Sequence, residues 1–345
     1  MTRAPDVLPG TPEGRCDGQM DALSDVLRVV RLKGGVFLHA EFTEPWCMFS
    51  EIATEDLGSL LEGSDHLVLY HYVVEGRLSA QIPNGKPVEV EAGEVILFPH
   101  NHGHLLGSHL DLPPVPSKQV VRAAPDGGLW EIRHGGGGAR SRIVCGFLGC
   151  DRMEGNPLAA SLPPVLTFDT RQGAAAAWMR SSLEFAANEI SQRRAGSETV
   201  LAKLSELLFV EAVRRYVETL PQEESGWLAG LKDPFVSRAL ALLHARVDKQ
   251  WTVDDLGREV GLSRSALADR FTRLIGEPPM RYLARWRIQV AANQLRNSDA
   301  PLARIAEQVG YESEAAFNRA FKRSFGTPPA AWRRGAAGQS RIAAD

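Results

Sequence analysis

The sequence predicts an α+β multidomain protein: an N-terminal antiparallel β-barrel followed by helices, then an all-α module in which one helix-turn-helix unit is built twice. Three observations predict it. Between residues 24 and 150, short alternating runs rich in Val, Ile and Leu are separated by Gly, Pro and Asn turns, as in HLVLYHYVVEGRLSAQI and PVEVEAGEVILFPHN, the pattern of antiparallel strands in a barrel or sandwich. From residue 174 onward the periodicity is helical instead. Finally, a segment of the C-terminal third repeats itself.

A chain of 345 residues exceeds one core and is expected to hold two domains with a helical connector. The boundaries expected are a disordered tail at 1–20, a strand-rich domain at 21–172, helices at 173–221, a linker at 222–233, a helical module at 234–334 and a second disordered tail at 335–345. No apolar run approaches the roughly 18 residues needed to cross a bilayer, and the first 20 residues are Pro- and Gly-rich with no secretory apolar stretch, so the expected location is the cytoplasm. Cys16, Cys47, Cys145 and Cys150 are too irregularly spaced for a zinc ribbon or disulfide framework and are expected as reduced thiols. Net charge is -3 overall, but it is unevenly divided. Residues 233–334 carry 17 Lys/Arg against 11 Asp/Glu, while the remainder carries 22 against 31. A basic module joined to an acidic one fits a polyanion-binding domain carried by a domain that does not bind polyanions.

In the repeat, LGREVGLSRSALADRFTRLIGEPPMRYL lies on IAEQVGYESEAAFNRAFKRSFGTPPAAW. Val260 and Gly261 pair with Val309 and Gly310. Past the glycine the offset grows by one, pairing Ser263 with Ser313, Leu267 with Phe317, Phe271 with Phe321 and Gly276 with Gly326. The first copy, about 252–275, reads as a helix capped by Thr252 and ended by Gly261, then a helix over 264–275 capped by Ser263 and stopped by Gly276. Leu267, Phe271 and Leu274 share one buried stripe of that second helix. The second copy, about 302–325, repeats the design with Gly310, the cap Ser313 and a helix over 314–325. A turn this short suits the steep crossing of a helix-turn-helix.

Opposite the apolar stripes, the second helix of each copy offers Ser265, Asp269 and Thr272, then Ala315, Arg319 and Lys322, groups suited to base edges and phosphates. The helix between the copies, about Pro279 to Asn297, would be roughly 28 Å long at 1.5 Å per residue, close to one turn of DNA at about 34 Å. Arg281, Arg285, Arg287 and Arg296 on it are expected to be exposed and near phosphates.

The tracts GLSRSALADRFTRLIGEPPMRYLARWRIQVAANQL and IAEQVGYESEAAFNRAFKRSFGTPPAAWRR resemble the DNA-binding domain of the AraC/XylS family of transcription regulators. The resemblance covers residues 234–334. It implies a duplicated helix-turn-helix that binds double-stranded promoter DNA, with base-reading positions at Arg264, Ser265, Ala268 and Asp269 and at Glu314, Ala315, Asn318 and Arg319. Asp269 departs from the arginine common there in the family. It is expected either to accept from a cytosine amino group or to point away, with Arg270 and Arg273 holding the DNA backbone.

The segment EAGEVILFPHNHGH resembles the second half of a cupin barrel. With SDVLRVVRLKGGVFLHAEF and HGGGGARSRIVCGFL it is similar to the cupin-type sensor domains that precede many such DNA-binding modules. His66, His71, His100, His102, His104 and His109 could converge in a barrel mouth, and three imidazoles suffice for a metal. On a strand, His100, His102 and His104 would point to one side. The metal pattern of cupins is only approximated, by His71 with Glu75, so no metal and no cofactor is expected, and His71, His100, His102 and His104 are candidate effector-pocket residues. Gly135 to Gly138 is followed by no Lys-Ser pair and no helix, and is read as a hairpin rather than a phosphate loop. The helices at 174–194 and 197–220 are implied to dimerise the sensor.

The function expected is sequence-specific transcription regulation responsive to an unknown small-molecule effector, by a homodimer with no catalytic residues; contact with RNA polymerase is left open. The alternative is a metal-dependent cupin enzyme fused to a DNA-binding module.

Overall fold

The computed structural model describes residues 21–30, 32, 37–53, 66–123, 130–150, 157–172, 176–192, 196–221 and 224–342. Helix α1 (Ala22–Val30) precedes strands β1 (Phe37–Thr43), β2 (Cys47–Ser50), β3 (His66–Glu75), β4 (Arg77–Gln81), β5 (Val88–Glu91), β6 (Glu94–Phe98), β7 (His104–Gly107) and β8 (Val115–Pro116). A single turn α2 (Ser117–Val120) leads to β9 (Val121–Arg122), β10 (Glu131–Gly135) and β11 (Arg140–Cys150), and α3 (Pro157–Ser161) leads to β12 (Leu166–Asp169). Helices α4 (Ala176–Gln192) and α5 (Ser197–Thr219) follow. The C-terminal helices are α6 (Trp227–Gly230), α7 (Pro234–Ala245), α8 (Val253–Val260), α9 (Arg264–Ile275), α10 (Pro279–Asn297), α11 (Leu302–Gln308), α12 (Glu314–Phe325) and α13 (Pro329–Ile342). Among the described residues, no helix is long and apolar enough to cross a membrane.

The described strands form two sheets, ordered β12-β6-β3-β11-β1-β10-β9 and β5-β4-β7-β2-β8. The closed barrel expected from the sequence is therefore replaced by two sheets enclosing a core, and the expected antiparallel order is broken where β1 runs parallel to β10 and β2 parallel to β8. Strand β3 shows why its run of residues is apolar throughout. Leu67, Leu69 and Val73 point into the core between the sheets, while Val68, Tyr70 and Tyr72 point to the other face. A strand buried on both faces cannot alternate apolar with polar. Strand β11 does the same with Ile143, Cys145 and Phe147 inward and Val144, Leu148 and Cys150 outward. Cys47, Cys145 and Cys150 are buried and form no disulfide with one another, and burial pushes the Cys145 thiol up to about 12.

The outer face of the larger sheet is covered by α4 and α5 through Met179, Leu183, Leu201, Phe209 and Val213. Ser205 Oγ donates to the Leu201 carbonyl at 2.9 Å, so the Tyr70 hydroxyl donates to Ser205 Oγ at 3.2 Å and ties β3 to α5. Gly146 makes room for this: a Cβ there would lie 2.4 Å from the Tyr70 ring and hydroxyl.

Three sequence expectations are corrected. The segment at 22–30, expected to belong to the strand region, is helix α1. Asp21 caps it by accepting from Ser24 N at 2.9 Å, and Ala22 and Val26 are buried in the same cluster as α7 and α10. Asn293 of α10 donates to the Val29 carbonyl at 3.0 Å. The 222–233 linker is not a loose spacer in its second half: Trp227 to Gly230 are buried, and Trp227 Nε1 donates to the Tyr282 hydroxyl at 2.9 Å. The Tyr282 hydroxyl in turn shares a hydrogen bond with His244 Nε2 at 2.8 Å. Burial holds that imidazole neutral, lowering its pKa to about 3. The tail expected at 335–345 is helical as far as Ile342, within α13; the tail expected at 1–20 lies outside the described residues.

Candidate nucleic-acid interface and ligand cavity

Helices α8 and α9 begin on side-chain caps. Thr252 Oγ1 accepts from Asp255 N at 3.0 Å and Ser263 Oγ from Ala266 N at 3.3 Å, each satisfying one of the donors a helix start leaves unpaired. Helix α12 begins the same way, Ser313 Oγ accepting from Ala316 N at 3.2 Å. Gly261, Gly276, Gly310 and Gly326 end helices or their turns with φ between 73° and 84°, the left-handed region that costs other residues. The two central turns are unequal, however. Around Gly261 nothing lies within 4 Å of where a Cβ would stand, whereas at Gly310 a Cβ would meet the Arg287 guanidinium at 2.5 Å and the Asp248 carbonyl at 2.7 Å.

Leu267 and Phe271 of α9 and Phe317, Ala320 and Phe321 of α12 are buried. The opposite faces are open: Arg264, Ser265, Asp269 and Arg273 on α9, and Glu314, Ala315, Arg319 and Lys322 on α12, are exposed, while Ala268 and Asn318 are half-buried beside them. Arg323, which the sequence reading left aside, is exposed next to Lys322. Arg264 lies 3.7 Å from Asp254 in a surface pair, an arrangement worth little in water.

The arginines divide sharply. Arg270, expected at the phosphates, is committed elsewhere: its Nε donates to Asp233 Oδ2 at 2.7 Å, while the same carboxylate caps α7 through Phe235 N and Val236 N. Arg287 is half-buried and donates to the carbonyls of Val247 and Lys249 at 2.9 and 2.8 Å. Arg296 stacks over Trp332, 5.3 Å from the ring centre. Arg285 donates to Glu277 Oε1 at 2.9 Å and lies over the Tyr282 ring. Of the four expected on the exposed side of α10, Arg281 alone is fully exposed, its side chain 80% open, with Glu277 3.8 Å away.

In the N-terminal domain a cavity of about 380 Å³ opens between the sheets, within the range of small-molecule sites. Its wall is chiefly apolar, with Leu38, Met48, Ile52, Leu69, Ile132 and Phe147, and with Ser50, His71, Ser117 and Lys118 as polar members. Of the four histidines expected at a pocket, His71 lines it. The segment from His100 to Gly103 is not a strand, and Asn101 there has φ 53°, so the expected alternation fails. His100 Nε2 meets the Leu162 carbonyl at 3.0 Å, His102 is exposed, and β7 starts at His104. The remaining lining residues come from separate segments and carry no shared sequence signal.

His71 and His104 meet through their Nε2 atoms at 3.0 Å, and the His104 ring stacks on Phe98 at 3.7 Å between centres. Burial lowers both pKa values, His104 to about 4 and His71 well below its ordinary value, the latter also through its neighbour His104. Among the described residues, no group of three or more His, Cys, Asp or Glu is placed to hold a metal ion.

Two sheets around a small cavity, followed by capped helices with polar outward faces, define a β-sheet domain joined to a helix-turn-helix module. The cupin family model matches residues 21–218, and a helix-turn-helix domain model matches residues 256–335. A Streptomyces lividans protein described as an AraC-like transcription regulator is 31% identical over 318 residues, 91% of this chain and 98% of its own length. The transcriptional regulator AlkR of Acinetobacter baylyi is 28% identical over 322 residues, 91% of this chain and 99% of its own. A crystal structure of an AraC-type transcriptional regulator from Chromobacterium violaceum is similar over 30% of this chain and 93% of its own, 25% identical, with TM-score 0.29. The chain belongs to the AraC-like transcription regulators, with an N-terminal cupin domain and a helix-turn-helix DNA-binding domain.

The inequality of the turns is testable. Gly261→Ala should cost about 1–2 kcal/mol of stability, the left-handed penalty, and Gly310→Ala about 1–3 kcal/mol more because backbone and guanidinium must shift. Urea denaturation measures both; equal losses would contradict this account of Gly310.

Proposed function

We propose that the chain is an effector-responsive regulator that reads DNA with two recognition helices, α9 and α12, each the second helix of a helix-turn-helix unit. The observation that carries this is the repetition in space of one local design: a serine cap, a buried apolar stripe, an open polar face and a glycine stop. Helix α10, with 19 residues, sets the two units roughly 28 Å apart along its axis, near the repeat of successive major grooves. Arg319, with Asn318 and Lys322 beside it, supplies the base-reading and phosphate groups of the second unit. In the first unit Arg264, Ser265, Ala268 and Asp269 face the base edges and Arg273 the backbone. Arg281 meets phosphate directly, and Arg285 does so only by leaving Glu277.

The effector site is the cavity beside His71, and no residue is assigned a catalytic role. The enzymatic alternative needs histidines turned toward a shared centre, whereas His71 and His104 are bonded to each other. The partners proposed are promoter DNA, a small-molecule effector, RNA polymerase at the promoter and a second copy of the chain, acting in the cytoplasm. Trp178 and Phe185 on α4, and Val200 and Leu207 on α5, are 40–51% exposed and spaced seven apart on each helix. Two such stripes, repeated by a two-fold axis, form a self-complementary apolar seam.

Arg319→Ala should weaken binding to the cognate site by about 1–3 kcal/mol and relax selectivity at one base pair, whereas Arg281→Ala should weaken all sequences alike and lower the salt slope by about one. Binding titrations on cognate and scrambled DNA at several salt concentrations check this; unchanged selectivity in Arg319→Ala removes that residue from base reading. Sedimentation equilibrium should give a dimer for the native chain and a monomer for Leu207→Lys. A native monomer at micromolar concentration contradicts the seam.

A further inference from the structure

Arg287 stands on α10 at the boundary of the two helical cores: Trp286 belongs to the large cluster and Ile288 to the core of the second unit. From there it reaches the loop that enters α8, donating from Nε to the Val247 carbonyl at 2.9 Å and from a terminal nitrogen to the Lys249 carbonyl at 2.8 Å. That loop is anchored in the first unit, because Trp251 is buried in the large cluster and its Nε1 donates to the Arg246 carbonyl at 3.1 Å. The guanidinium also lies against the turn between α11 and α12: a Cβ on Gly310 would stand 2.5 Å from the same terminal nitrogen and 2.7 Å from the Asp248 carbonyl. Gln250 Nε2 closes the contact, donating to the Gly310 carbonyl at 2.7 Å. The corresponding turn of the first unit, at Gly261, has nothing within 4 Å of its Cβ position. The left-handed turn is common to both units, but of the two only that of the second is docked on its neighbour.

Joined by α10 alone, the second unit could tilt as that helix bends; an attachment off the helix axis removes this freedom. Resting on the reading of α9 and α12 as two recognition helices, we propose that Arg287 and Gln250 are positioning residues that hold the second unit against the first, so that the chain selects the spacing between its half-sites as well as their bases. One base pair more or less moves a half-site by about 3.4 Å and rotates it by about a tenth of a turn. Two helices held in one relative orientation cannot follow both changes. The two ties differ in strength. Arg287 gives charge-assisted hydrogen bonds to two carbonyls, whereas Gln250 is an exposed residue that gives one neutral bond. Neither side chain touches DNA in this role.

The test is titration of the full chain with a DNA site that the native chain selects from a random pool, with either half scrambled, or with one base pair inserted or removed between the halves. Scrambling either half should weaken native binding, and one inserted pair should weaken it about tenfold, comparable to a mismatched base pair. In Gln250→Ala, and further in the double variant with Arg287→Met, that penalty should fall to about threefold or less as the tie is lost. Binding to the half-scrambled sites and the salt slope should stay as in the native chain, since no phosphate contact is removed. A merely structural role would lower affinity at every spacing alike and keep the tenfold ratio, and that result overturns the proposal. So does a native chain indifferent to the inserted pair although both halves matter, which leaves the two-helix reading standing. If scrambling one half leaves native binding unchanged, the two-helix reading itself fails, and the proposal with it. Gln250→Ala decides the matter even if the Arg287 variant fails to fold.

Discussion

One continuous apolar cluster is the constraint on which the arrangement of this protein depends. It runs from Val68, Tyr70 and Tyr72 on the outer face of the large sheet, through Met179, Leu201 and Phe209 of α4 and α5, to Trp227, Leu243, Leu267, Phe271 and Trp286 around the first helix pair. Burial of this surface from water drives the association, at roughly 25 cal/mol per Å² of apolar area. Because the cluster is shared, the cupin domain and helices α6 to α9 pack as neighbours. Helix α1 adds to this, seating Ala22 and Val26 in the same cluster.

Helix α10 divides the cores. Its first half gives Tyr282, Leu283 and Trp286 to the large cluster, and its second half gives Ile288, Ala291, Ala292 and Leu295 to a separate core with Ile305, Val309, Phe317 and Phe321. The second unit is thus attached to the rest chiefly through one helix and the contacts at Gly310, where Gln250 donates to the glycine carbonyl at 2.7 Å. The cavity lies on the far side of β3 from that large cluster. Residues of one strand line both: His71 and Leu69 face inward, and Tyr70 and Tyr72 face the helices. Any occupant that bears on β3 therefore bears on a strand whose other face is part of the contact with the helices.

The helical module was the legible part of the sequence, because its signals are local. Thr252, Ser263 and Ser313 mark starts and the glycines mark stops, and each does so within three residues of the group it satisfies. What sequence could not supply was the identity of distant neighbours. Arg270 and Arg287 sit among polar positions and read as DNA-facing, yet Asp233 and the carbonyls of Val247 and Lys249 claim them. The parallel pairing of β1 with β10, across about ninety residues, leaves no pattern in either strand. Helix α1 was missed because a short Val- and Leu-rich run suits a strand as well, and the deciding signal was the single cap at Asp21. The histidines misled because alternation was carried through Asn101 and Gly103, where the strand had already ended.

The two halves of the DNA-binding module are proposed to act together on one face of the duplex. Methylation protection of major-groove guanines on a site selected by the full chain tests this most directly. Two protected patches about ten base pairs apart on the same face, both in major grooves, are the predicted result; a single patch, or protection confined to the minor groove, would contradict it.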